Sequence, residues 1–132
     1  RIVWHSGTPG ALNRDEPAGI FFEWEGAPRK MLVSQAAMSE IVGPGPLHGR
    51  GRLASPESLY AYAFDSGERT IVVAWLNEDM TETPVRLALQ GARAFDLVGN
   101  RLYGDAVTVG FEPVYVVFER VAGDAELSRL AG

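Results

Sequence analysis

The 132-residue chain has no cysteine, which excludes disulfides, zinc–thiolate centres and thiol nucleophiles. It has no basic run. Twelve Lys+Arg stand against 17 Asp+Glu, a net charge of −5, so nucleic acid is not expected as a partner, because phosphate recognition needs clustered cations. No apolar stretch reaches the ~20 residues that a membrane-spanning helix requires, so no membrane contact is expected. The length falls well short of the ~250 residues typical of a complete (β/α)₈ barrel. Lack of cysteine leaves the compartment open between cytoplasmic and secreted. The chain opens at Arg1 with no initiator Met, which reads as a mature or excised piece of something longer.

Catalytic signatures are also missing. There is no Gly-x-Ser-x-Gly elbow, no Walker loop, and no Gly-x-Gly-x-x-Gly motif following a strand. His5 and His48 stand far apart, and neither has a second ligand at helical spacing, so no metal site is expected. The expectation is therefore no catalytic residue, no metal ligand and no cofactor in this chain.

Glycine and proline are present at 15 and 8 and punctuate the chain. The densest stretch, Gly43-Pro44-Gly45-Pro46-Leu47-His48-Gly49-Arg50-Gly51, excludes a helix or a central strand and reads as a boundary or long connection. Before it, Pro28 suits a first helical turn, and Met31, Leu32, Ala36, Met38, Ile41 and Val42 leave a broad apolar face, so the spacing predicts a helix over about 28–42. After it the period changes to two. Strands are expected over 59–65, 70–76, 85–90, 94–98, 107–109 and 114–118, with a hairpin turn at 65–68. Segments 2–4 and 20–24 could be further strands, and the 123–130 tail reads as weakly helical and fraying. The expected fold class is mainly β, an antiparallel β-sandwich with one α-helix in the N-terminal half.

Two residue types could carry chemistry. Glu23 and Glu25 flank Trp24 on one face of a candidate strand, and paired carboxyls about 5–10 Å apart serve glycoside hydrolysis. Neighbours on one strand approach a sugar from the same side, however, and a solvated strand edge is the better reading. Aromatic rings can stack on apolar sugar faces. Trp75 lies in the most apolar run, and Tyr60, Tyr62 and Phe64 share one side of a strand. All four are expected to build the core, with Trp75→Ala costing ~3–5 kcal/mol. Trp4, Trp24 and Tyr103 sit near loops and are the candidate carbohydrate contacts.

The stretch 58–120 resembles the C-terminal β-sandwich that follows the catalytic barrel in many glycoside hydrolases. The resemblance rests on Leu59-Tyr60-Ala61-Tyr62-Ala63-Phe64, Arg69-Thr70-Ile71-Val72-Val73-Ala74-Trp75, Phe95-Asp96-Leu97-Val98-Gly99-Asn100 and Pro113-Val114-Tyr115-Val116-Val117-Phe118. The segment Trp24-Glu25-Gly26-Ala27-Pro28-Arg29-Lys30, leading into the helix, looks like the end of such a barrel. The resemblance implies two regions: 1–50 as the end of a catalytic barrel, and 51–132 as the sandwich. It also implies a non-catalytic accessory role, with the barrel of the same polypeptide as partner. A carbohydrate-binding module, with carbohydrate as the partner, and a protein-interaction domain are the alternatives.

Overall fold

The computed structural model describes residues 29–79 and 83–131. In chain order the elements are α1 (Lys30–Val42), β1 (Leu47–Arg52), β2 (Leu59–Ser66), β3 (Arg69–Leu76), β4 (Val85–Ala88), β5 (Arg93–Phe95), β6 (Arg101–Leu102), β7 (Ala106–Val109), β8 (Val114–Phe118) and α2 (Asp124–Ala131). Six strands pair antiparallel in the order β1-β2-β3-β8-β5-β6, and β4 pairs antiparallel with β7 as a second layer. The mainly β, antiparallel sandwich expected from the sequence is the observed class. The candidate strands at 2–4 and 20–24 lie outside the described residues.

Alternation divides the large sheet into two unlike faces. The inner face carries Leu59, Ala61, Ala63, Val72, Ala74, Ala94 and Val116, all buried against Leu87, Leu89, Val107 and Val109 of the second layer. Four alanines on that face let the layers approach closely, so branched side chains of the small sheet fill the gap. The outer face carries Tyr60, Tyr62, Phe64, Ile71, Val73, Trp75, Tyr115 and Val117, as the registers Tyr60↔Trp75, Tyr62↔Val73, Phe64↔Ile71 and Ile71↔Val117 require. α1 lies on this outer face, with Ile41, Met38 and Val42 packed on Ile71, Phe64, Tyr115 and Val117. The layers run helix, six-stranded sheet, small sheet.

This arrangement corrects three expectations. The aromatic residues do share a face, but it is the outer one. Phe64 packs under α1, whereas Trp75 and Tyr60 are only half-buried and Tyr62 is 40% exposed. Trp75 is on a strand as expected but is not interior. The glycine-rich 43–51 stretch is not merely a connection, because β1 forms within it. As an edge strand with a register shift between Gly49 and Gly51, and with Gly51 at φ +87°, it tolerates residues that a central strand would not. The tail is a helix packed on the core rather than a loose end. Leu127 and Leu130, one helical turn apart, are 3% and 2% exposed in the main core.

Two glycines are required by the backbone. Gly43 ends α1 at φ +75°, its N–H donating to the Ser39 carbonyl at 2.9 Å. Gly99 sits at φ +88° where an added Cβ would lie 3.1 Å from the Ala37 Cβ, so the β5–β6 turn can press against α1 only without a side chain there. Asp96 shapes that turn, accepting from the Val98 and Asn100 N–H groups at 3.0 and 2.8 Å and from the Asn100 side chain at 2.9 Å. Burial pushes its carboxyl up, and these bonds more than offset that, leaving it below the usual carboxylate range.

α2 is held by charge as well as by its leucines. The Arg120 guanidinium grips the Glu126 carboxylate through two bonds, and the Gly123 N–H donates to the same group at 3.0 Å. These partners hold the Glu126 pKa down at about 2, against an ordinary 4.5. A carboxyl whose pKa is lower when folded stabilises the fold above its unfolded value and loses that contribution as pH falls through the folded value. Native stability is therefore expected to decline between about pH 5 and pH 2, the α2 amides exchanging with solvent before those of β3 and β8. Glu126→Gln should flatten that part of the curve. Hydrogen exchange at pH 7 and pH 3 checks this, and equal acid sensitivity in the variant would refute it.

Candidate functional site

α1 is the element with the least ordinary surface. Its only charged residues, Lys30 and Glu40, lie toward its two ends, and Lys30 pairs with Glu112. The hydroxyls of Ser34 and Ser39 donate to the Lys30 and Gln35 carbonyls, each at 2.8 Å. Both serines thus spend their hydroxyl proton inside the helix. A helix on a protein surface ordinarily shows one polar face. Here Met38 and Ile41 face the sheet; Met31, two turns before Met38 on the same stripe, is still 46% exposed, and Val33, well off that stripe, is 39% exposed. The exposed part of the helix is thus mixed, with Met31, Val33 and Ala36 beside Lys30, Ser39 and Glu40, and shows no continuous polar face.

Two hollows flank α1. One, of about 560 Å³, is walled by Met38, Val42, Leu47, Phe64, Val73 and Tyr115 and is almost wholly apolar. The other, of about 600 Å³, lies between α1 and β5, with Val33, Ala37, Phe95 and Val98 as walls and Glu40, Arg69 and Arg93 beside them. Arg93 is paired with Glu119, and an Arg69 side-chain nitrogen donates to the Val42 carbonyl at 3.4 Å, so both cations already have protein partners.

Elsewhere on the outer face, Tyr60, Trp75 and Tyr62 are in contact. The Trp75 ring lies 5.4 Å from Tyr60, tilted by 39°, and 5.7 Å from Tyr62, within 23° of parallel. The Arg52 guanidinium stands 5.1 Å from the Tyr60 ring centre, and the Asn77 amide donates to the Tyr60 hydroxyl at 3.1 Å. The row is built by register, since Tyr60 and Trp75 are direct cross-strand partners and Tyr62 is diagonal to Trp75.

Of the carbohydrate contacts expected from the sequence, Trp4 and Trp24 lie outside the described residues, as do Glu23, Glu25 and His5. Tyr103 is 82% exposed just beyond β6, with the Arg101 guanidinium 5.1 Å from its ring. It takes no part in the row on β2 and β3. Sequence reasoning saw the row's residues but assigned them to the core. The available signal was the pair of alanines at alternate positions 61 and 63 of β2, which marks the face that approaches another layer.

Several carboxylates have structural partners. Asp65 accepts from the Thr70 hydroxyl at 2.5 Å and lies 3.7 Å from an Arg50 nitrogen, and Asp124 pairs with Arg50. Asp96 and Glu126 are engaged as described. Among the described residues, no group of three or more His, Asp or Glu could hold a metal ion, and no helix is long and apolar enough to cross a membrane.

The sequence matches no known family profile and no curated protein. The fold does have a solved counterpart. It superposes on a glycoside hydrolase family 30 subfamily 8 xylanase from Clostridium acetobutylicum with a TM-score of 0.55 and 11% identity, over 77% of this chain. This chain spans only 30% of the length of that xylanase. At such identity the likeness is one of fold alone: the architecture is related to part of a glycoside hydrolase chain.

Proposed function

We propose that this chain is a non-catalytic accessory β-sandwich of a glycoside hydrolase, which packs on and stabilises a catalytic barrel in the same polypeptide. In this reading β1 and the chain after it are the sandwich and the segment before β1 is the end of the barrel, with α1 as the shared wall. The observation that carries it is that α1, already packed on the six-stranded sheet through Met38, Ile41 and Val42, still leaves the large apolar side chains Met31 and Val33 exposed. Such an interdomain contact is more apolar than ordinary surface. The fold likeness to part of a xylanase supports the same assignment, and so does the structural engagement of Asp65, Asp96, Asp124 and Glu126.

The double substitution Met31→Asp and Val33→Asp tests it. In the chain alone both side chains are exposed, so stability should change by under ~1 kcal/mol, while binding of a hydrophobic dye and self-association should fall. In the polypeptide that also carries the barrel, the same pair should expose the connection to proteolysis and lower the melting temperature. An unchanged two-domain protein would overturn the docking role. Turnover of any aryl glycoside by the chain alone would overturn the non-catalytic one.

A further inference from the structure

We propose that the Tyr60–Trp75–Tyr62 row is a contact surface for a strand of pyranose units. The inference rests on the accessory-domain reading for its setting, since that reading places a polysaccharide-cleaving neighbour beside α1, but its evidence is separate. Three aromatic rings are in contiguous contact on the outer face of a sheet, with centroids 5.4 and 5.7 Å apart. α1 packs on Phe64 and Ile71 of that face, in a cluster that does not include these three rings. Tyr62, the most open ring, is 40% exposed.

The surroundings favour a sugar over a protein segment. A pyranose has C–H faces that stack on rings and a rim of hydroxyls that must be satisfied at the edges. The row has both requirements in place: rings in the middle, and at its margin the Arg52 guanidinium and the Asn77 amide, each beside Tyr60. The hollow by Met38, Val42 and Leu47, close by on the same face, offers the contrast. It has apolar walls and almost no polar edge, as suits a protein contact. Arg52 is exposed on edge strand β1 and pairs in register with Tyr62; one terminal nitrogen donates to the Leu59 carbonyl at 3.3 Å, and its remaining donors are left for a ring hydroxyl or an acidic substituent of a sugar lying across the row.

Affinity electrophoresis of the chain through gels containing soluble arabinoxylan, glucuronoxylan, mixed-linkage β-glucan or galactomannan tests the proposal. At least one polymer should retard the wild type. Tyr62→Ala and Arg52→Ala, both at exposed positions, should each weaken that retardation about tenfold or more while leaving the thermal midpoint within a few degrees. Tyr103→Ala should leave it unchanged. Stronger loss from Arg52→Ala on glucuronoxylan than on arabinoxylan would assign the guanidinium to an acidic substituent, and equal loss would assign it to hydroxyls. No retardation on any polymer overturns the proposal, as does retardation that survives Tyr62→Ala or depends on Tyr103. If Tyr62→Ala instead loosens the two-domain protein with no effect on polysaccharide, the row is a protein contact and the proposal fails. The Met31 and Val33 pair reads the docking role independently, so either can fail alone.

Discussion

Leu59→Ala is expected to destabilise the protein by about 3 kcal/mol, and Trp75→Ala by only about 1–2 kcal/mol, although tryptophan is much the larger side chain. Leu59 has 0% exposure and lies on the inner face among Leu76 and the residues of the second sheet. Truncating it removes three buried carbons and leaves a cavity between two layers that cannot close without disturbing the registers on either side. Trp75 is half-buried on the outer face, and its contacts are with Tyr60 and Tyr62, rings that can lean into the space left behind. The expected shifts in melting temperature are about 10 °C or more for Leu59→Ala and roughly half that or less for Trp75→Ala. Urea titrations of the two variants against the wild type decide the matter. If Trp75→Ala costs more than Leu59→Ala, the assignment of faces is reversed, and with it the exposure of the aromatic row.

That contrast shows where sequence reasoning succeeded and where it stopped. Alternation over 59–65, 70–76 and 114–118 located β2, β3 and β8 within a residue at either end, because period-two patterning is a direct consequence of the pleat. The same alternation marks two faces without saying which is inside. Size alone pointed to Tyr60, Tyr62 and Trp75. The decisive quantity was the distance between layers, which alanines at 61, 63 and 74 make short. α2 carried usable signals: acids Asp124 and Glu126 in its first turn and Arg129 in its last suit the helix dipole. Its docking is tertiary, however, depending on the reach of Arg120 to Glu126 and of Arg50 to Asp124. β6 has two residues, too few for any period. The helix over 28–42 was legible because its end signal, Gly43-Pro44, is chemical rather than statistical. The exposure of Met31 and Val33 could be read only once Met38, Ile41 and Val42 were seen packed on the sheet.

The second large effect is expected at Thr70. This residue is 0% exposed, and its hydroxyl works in both directions. It donates to the Asp65 carboxylate at 2.5 Å and accepts from the Ala122 N–H at 2.9 Å. Asp65 also faces Arg50, whose guanidinium reaches the Ala122 carbonyl and Asp124. Thr70 thus joins the β2–β3 hairpin to the segment that leads into α2. Thr70→Val keeps the shape but supplies no acceptor, so the Ala122 N–H is left unpaired in the interior and Asp65 loses its shortest partner. An unsatisfied buried donor costs about 1–3 kcal/mol in addition to the lost bond, so a total of about 2–3 kcal/mol is expected. Thr70→Ser retains the hydroxyl and loses one methyl group, for about 1 kcal/mol or less. The ordering is what matters: if the hydroxyl holds α2 in place, Val must be worse than Ser, and amide exchange in Asp124–Ala131 must accelerate in the Val variant alone. If Ser is the more damaging replacement, packing of the methyl dominates, and the hydrogen-bond bridge from hairpin to helix contributes little.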